Sequence, residues 1–513
     1  MKKTSRREFL RLGRNAALSL TGMSLLPRSV FASSSPAFTD YKALVCVFLN
    51  GGCDSINMVL PTAPSGGAGY DMYAGIRGLD NPDISLAVNN IDLSAGLRNT
   101  GNLLAAGWSN PYYKNATRTD AYLKGMYHIG GTKPFGIHGM MPELARLVQQ
   151  QQAAVIANAG TLVRPVTRDE ILNNAADLPS FLFSHNSQQT LTQNGEANNT
   201  NAAGWAGRLF DNWQQVNNDH LLGMNIAYSR GRLPIGRETT PLRLSTGSPP
   251  AYKNLTGDKE QTLARRQLYL DMSGLSMQSR FKDRYNRMQL RSFQLTDILA
   301  EAWESTASTF DGLTGSYGQP LFSVPEQTVL GIDDDISGGL IRQLEAVARM
   351  IAYSQSQTDI KRQIFFVQQG GYDTHGAQRF NHPLLLRELS LALWDFQQAM
   401  TFLSLNDHVT TYNLSDFGRT VTNNSDGTGH AWGGHYLVTG GSVNGGELYG
   451  ELPDLTLGGT YDHGRKGRLI PQIATDQVQA TLARWFGVDD TLMPTIFPNI
   501  DNFSARYLSF MRG

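Results

Sequence analysis

Residues 370–378, GGYDTHGAQ, place a carboxylate (Asp373) and an imidazole (His375) just past the apolar run QIFFV. The association recurs along the chain. NGGCDSINMVLP brings Asp54 after ALVCVFL, SDFGRT brings Asp416 and Arg419 after VTTYNL, and DGTGHAWGGH brings His430 and His435 just before YLVTG. Carboxylate oxygen and imidazole nitrogen are the donors that Zn, Mn and Fe prefer, so residues of these types meeting at one place could hold a divalent cation. Each also has a plainer explanation. An Asp after a strand is often an Asx-turn or a helix N-cap, and a His in a Gly-rich loop often bonds only to backbone. Arg419 either pairs with a carboxylate or grips a phosphate or sulfate oxyanion bidentately. His128, His220, His382, His408 and His463 lack such a setting and read as structural or surface residues.

The elements that must position these side chains are strand-length apolar runs at 43–49, 153–159, 364–368, 409–414 and 436–440. Helical periods separate them, at 338–357 (apolar at 341, 344, 347, 348 and 351) and 383–403. Near-continuous apolar strands alternating with helices predict an α/β fold, a largely parallel sheet covered on both faces. Ligands of such sheets sit at the carboxyl ends of the strands, where the Asp and His loops fall. Two stretches break the rhythm. Residues 62–132, rich in Gly, Asn, Tyr and Pro, read as long loops, and 258–306 as a helical insertion with a solvated charged face.

Composition limits the alternatives. Lys plus Arg equals Asp plus Glu at 44 each, so no global field draws the chain to nucleic acid or to an anionic membrane. The only cysteines, Cys46 and Cys53, sit within and just beyond one strand, where a disulfide would fold a short segment back on itself; they read as two small buried residues. At the N-terminus, SRREFLRLG with Arg6 and Arg7, a modest apolar run and the A-x-A-like site at Val30 and Ala32 resemble a bacterial twin-arginine export signal. The apolar stretch is far short of the ~20 residues needed to span a bilayer. Residues 1–32 are therefore set apart from the fold, 33–513 are expected to form one domain, and no transmembrane anchor remains after cleavage.

Taken together, the export signal, NGGCDSINMVLP, GWAGRLFD, GGYDTHGAQ, SDFGRT, GTGHAWGG, GGELYGELPDL and ARWFGVDDTLMPTIFPNI resemble the bacterial family called domain of unknown function 1501. That family is similar to a distant branch of the alkaline phosphatase and sulfatase superfamily. The resemblance implies an alkaline phosphatase-like fold, with metal ligands at Asp54, Asp373, His375, Asp416 and His430. It departs from the family pattern at Asp416, where Glu is usual, and at Gly429, Ala431 and Trp432, where Asp-His-Gly-His is usual, which leaves fewer donors and either one ion or two. His435 could replace a lost ligand or face solvent.

The resemblance further implies an exported, metal-dependent hydrolase of phosphate or sulfate esters, with Zn (or Mn or Fe) as cofactor. A family Ser-His pair maps onto Ser184 and His185, making Ser184 the candidate nucleophile, with Thr161 and Thr190 as competitors and an N-cap as the plainer role. His138 matches a family His before a helix, in a cap or a site role. Expected partners are the twin-arginine export machinery and a small-molecule or glycan ester substrate, and the expected location is periplasmic or secreted. The alternative is a degenerate member that binds a cell-envelope glycan or protein without turnover.

Overall fold

The computed structural model describes residues 37–512 apart from 64, 79–84, 89–125, 214–215, 218–222, 224, 250–254, 256, 276–278, 331 and 333. Residues 1–32, where an export signal is expected, His220 and the centre of the 62–132 stretch lie outside the described residues. Nine strands form the main sheet: β1 (Lys42–Leu49), β2 (Ala153–Gly160), β3 (Asn225–Ala227), β4 (Leu242–Arg243), β5 (Arg362–Gln369), β6 (Val409–Ser415), β7 (Gly434–Thr439), β8 (Leu448–Tyr449) and β9 (Ile473–Ala474). Their order is β8-β2-β7-β6-β1-β5-β3-β4, with β9 also on β2. All pairings are parallel except the two made by β7.

Side-chain alternation explains why both faces are covered. Ala43, Val45, Val47 and Leu49 of β1 face one core with Phe365 and Val367, against α1 (Pro142–Gln149), α4 (Gly339–Gln357) and α5 (Gln378–Phe402). Leu44, Cys46 and Phe48 face the other with Ile364 and Phe366, against α3 (Trp205–Asn212) and α6 (Thr475–Phe486). Each large apolar side chain buried this way contributes about 1.5–3 kcal/mol, and a one-residue slip of β1 would exchange its two faces. The α/β architecture, mostly parallel with helices on both sides, is the one the apolar runs predict.

Two stretches differ from the sequence reading. Helix α5 begins at Gln378 rather than near Pro383, which lies inside it. Its first turn is held from outside: the Ala377 and Gln378 amides donate to Asp426, at Oδ2 and the carbonyl, both at 2.9 Å. Within 62–132, Tyr70–Ile76 is helical because Tyr70, Tyr73 and Ala74 share one face, packed with Leu60, Val421 and Leu455. The strand Met126–Ile129 pairs with Phe135–His138, which also takes Val59–Pro61, in a small antiparallel sheet. The 258–306 insertion is two helices, Glu260–Gly274 and Arg280–Ser305, joined side to side by an Arg266–Asp297 ion pair and by Tyr269 donating to Gln289. Cys46 and Cys53 are free and buried.

Candidate metal centre

Four chain segments deliver side chains to one point at the carboxyl edge of the sheet. The loop after β5 supplies Asp373 and His375, and the loop after β6 supplies Asp416 and Arg419. His430 precedes β7, whose reversed direction brings its entry, not its exit, to the same edge. The fourth side chain is His185, the first residue of helix α2 (His185–Asn194). The β1 loop must pass close beneath: Gly51 has φ +118°, and a Cβ on it would lie 2.4 Å from the amide nitrogen of Asp373. Only glycine tolerates both the angle and the approach.

The Nε2 atom of His430 lies 3.0 Å from Nε2 of His185 and 2.8 Å from Nε2 of His375. Oδ1 of Asp373 is 3.3 Å from His185 Nε2, 3.2 Å from His375 Nε2 and 3.6 Å from His430 Nε2. Partners on the far side of two rings fix their tautomers. His185 Nδ1 is 2.7 Å from Oδ2 of Asp416, and His430 Nδ1 is 2.9 Å from the Phe183 carbonyl. Both partners only accept, so each Nδ1 carries the hydrogen and each Nε2 turns a lone pair inward.

The facing lone pairs of His185 and His430, beside a carboxylate oxygen, share a proton only when a ring is charged or when His375 donates from Nε2, and a cation satisfies all of them. Tetrahedral zinc, with bonds of about 2.0–2.1 Å to nitrogen, sets its ligand atoms roughly 3.4 Å apart, close to the spacings found here. The donors fit a divalent transition metal. His185, Asp373 and His430 by themselves form a group whose ligand atoms lie within 4.8 Å of one another. The Asp373 and His375 side chains are 50% and 48% exposed, so the centre opens to solvent on their side.

Charge is arranged around this point. The hydrogen bond that His185 donates to Asp416 raises the pKa of His185, whereas burial lowers that of His430. Burial would raise Asp373, but the hydrogen bond and charge of Arg419 hold its carboxyl below the usual carboxylate range. Arg419 is fully buried; its Nη2 donates to Asp373 Oδ1 at 2.7 Å and its Nε to the Gly52 carbonyl at 2.9 Å. The carboxylate partner, the plainer of its two readings, is the one the structure supplies.

The other sequence candidates lie elsewhere. Asp54 is fully buried and bidentate with Arg77 at 2.7 and 2.9 Å, with Gln378 on Oδ2 at 2.5 Å. Its carboxylate is committed to a guanidinium and is not among the converging atoms. Asp416 does not join the donors but supports His185 from behind. Ser184 occupies the N-cap of α2 without a side-chain capping bond. Thr161 donates to Gln188 and Thr190 to the Asn186 carbonyl. His138 and His435 are buried and accept amide hydrogens at Nδ1 from Met140 and Asn158. His382 is buried beside Cys53.

Sequence reasoning missed Gln189 and Asn50. Gln189 donates to Asp416 Oδ2 at 2.9 Å and to Asn50 at 2.5 Å. One turn after His185 on the same helix face, it was findable from the i, i+4 spacing once His185 was placed in the site.

No curated protein matches the chain. Among solved structures it is similar to Ps i-CgsB in complex with k-i-k-neocarrahexaose, with 10% identity over 90% of this chain and 77% of that one and a TM-score of 0.30. A second structure of Ps i-CgsB matches 70% of this chain and 71% of its own, at 10% identity and a TM-score of 0.28. Likenesses this distant carry no argument about the site. The sequence model of one family, described as "Protein of unknown function (DUF1501)", matches residues 41–461, and the chain belongs to that family.

Proposed function

We propose that this protein is an exported metallohydrolase of phosphate or sulfate esters, carried by the twin-arginine machinery to the periplasm or beyond, with one divalent cation, zinc or else manganese or iron, held by His185, Asp373, His375 and His430. The observation that carries the reading is the pair of inward lone pairs on His185 and His430 beside the Asp373 carboxylate. A bound cation at such a centre supplies Lewis acidity and a water of lowered pKa. The chain's own residues set the geometry. Asp416 and the Phe183 carbonyl fix the two tautomers, and Arg419 holds Asp373 at the solvent-open side. Ser184, at the start of α2 beside His185, is the candidate nucleophile, its hydroxyl not engaged in capping.

Metal content and an ester panel test this. Purified protein should hold about one transition metal per chain, His375→Ala should lose it, and turnover of an aryl phosphate or aryl sulfate should be saturable and abolished in Asp373→Ala. Carefully prepared protein that neither contains nor binds zinc, manganese or iron would end the proposal. Replacing Arg6 and Arg7 by Lys should leave the precursor unexported.

One observation favours the second reading, a binding protein without turnover. Arg419 is turned onto Asp373 and the carbonyls of Gly52, Tyr372 and Thr428, which leaves it poorly placed to grip an oxyanion. Metal binding with no turnover across the ester panel is the outcome that selects this reading.

A further inference from the structure

Residues 462–468, DHGRKGR, carry three cations in a short loop, and the fold holds that loop rigidly against the imidazole cluster. Asp462 turns its carboxylate inward: Oδ1 accepts from the amides of Gly464 and Arg468, and Oδ2 from those of Gly458 and Gly467, at 2.9–3.1 Å. On the other side, the Val421 amide donates to the Gly467 carbonyl at 3.0 Å and the Thr422 hydroxyl to the Lys466 carbonyl at 3.1 Å. These bonds tie the loop to the strand Arg419–Asn423, which pairs with Thr428–His430. Gly467 sits at φ +65°, where a Cβ would lie 2.5 Å from that of Val421. Arg468 reaches the site itself, donating from Nε to the His430 carbonyl at 3.1 Å, with its guanidinium 4.4 Å from the centre of the Phe183 ring.

Among the described residues the cations on this loop have no acidic partner within ion-pair distance. Arg465 and Lys466 are exposed, and among the described residues neither they nor Arg468 forms an ion pair. In a chain whose charges balance at 44 each, a fixed cluster of unpaired cations beside a candidate metal centre is suited to an anion that arrives with the substrate.

A second, independent feature lies on the loop that delivers His185. Phe181 is 72% exposed and has φ +51°, the left-handed region that bulky residues rarely adopt. The conformation is strained, and packing does not offset it. Leu178, Leu182 and Phe183 pack around Trp432 and Ile470, while Phe181 stays outside that cluster. An open aromatic face offers a sugar ring's CH groups a surface that is apolar and electron-rich.

We propose that the site recognises an anionic glycan, with one ester group at the metal donors, a neighbouring anionic group on Arg465, Lys466 and Arg468, and a sugar ring against Phe181. This deepens the hydrolase reading and rests on it for the fate of the ester; recognition by the loop and the ring needs no turnover.

The test titrates the full-length purified protein with dextran sulfate, uncharged dextran and inorganic polyphosphate. It uses the wild type, the double variant Arg465→Ala/Lys466→Ala and Phe181→Ala, each checked for an unchanged thermal unfolding transition. Dextran sulfate should bind the wild type and uncharged dextran should not. The double variant should weaken dextran sulfate binding tenfold or more and flatten its salt dependence, and Phe181→Ala should weaken dextran sulfate more than polyphosphate. Equal binding of both dextrans, or unchanged affinity in the double variant, overturns the proposal. Polyphosphate that binds as tightly as dextran sulfate and is indifferent to Phe181 overturns it in favour of a linear phosphate polymer. The two readings fail separately. Aryl esters left intact while dextran sulfate binding responds to the loop variants remove the hydrolase alone, and turnover with a loop-indifferent glycan removes this inference alone.

Discussion

The Nδ1 atom of His185 lies 2.7 Å from Oδ2 of Asp416, 231 positions further along the chain. Asp416 is fully shielded, and its two oxygens accept from three donors: the Gly51 amide at Oδ1 (3.1 Å), and His185 and Gln189 at Oδ2. An Asn in its place must turn an NH2 group toward one of these donors. Asp416→Asn is therefore expected to release the His185 ring and lower zinc affinity about 10–100-fold, the usual effect of losing a partner behind a ligand. Chelator competition measures it; wild-type affinity in this variant would mean that Asp416 does not set the imidazole.

The strands were legible because their apolar runs are nearly unbroken, and so were the loops that follow them, which is why Asp373 and His375 could be placed at a strand end. His430 was legible only as a neighbour of β7. That it lies at the same edge depends on β7 running antiparallel, and a short apolar run does not reveal its direction. Asp54 was read as a strand-end ligand because its local pattern resembles that of Asp373. What separates them is Arg77, which follows a short helix in a stretch of weak periodicity, so the partner that occupies the Asp54 carboxylate was invisible. His185 entered through family resemblance, since helix α2 has little apolar periodicity to announce it.

The Asp54–Arg77 pair tests the difference between a buried ion pair and a ligand. Both side chains are fully buried, so deleting Asp54 takes a bidentate carboxylate away from a buried guanidinium, a loss of about 3–5 kcal/mol. Asp54→Ala should lower the urea midpoint accordingly while the fraction that remains folded keeps its zinc stoichiometry. Loss of metal at full stability would restore Asp54 to the ligand set.

Burial fixes the thiol chemistry. It pushes Cys46 up to about 12 and Cys53 well above its ordinary value, the latter with help from the adjacent Asp54 carboxylate. Neither thiolate forms near neutral pH, and thiolate is the reactive species. Native protein should therefore leave an aromatic disulfide reagent unreacted, and protein in concentrated urea should release two equivalents. One fast equivalent under native conditions would show that the loop after β1 opens.

Buried neutral histidines should make stability depend on pH. Burial lowers His138 to about 3 and His382 and His435 to about 4, against about 6.5 in an unfolded chain. Their folded pKa values are depressed, so from pH 6.5 downward the unfolded chain binds protons that the folded one refuses. The contribution is complete above 6.5 and is lost on acidification, by about 1.4 kcal/mol per pH unit for each ring. Asp395 and Asp476, raised by burial to about 8 and about 7, act with the opposite sign over the same window, because the folded chain holds their protons. Three rings against two carboxyls leave a net slope of about one group, which does not say which group titrates, so the test must be differential. His435→Asn retains an acceptor for the Asn158 amide and removes one of the three rings, so its urea-derived stability between pH 6 and 5 should fall less steeply than that of the wild type by about 1.4 kcal/mol per unit. Parallel profiles would mean that His435 titrates normally in the folded protein.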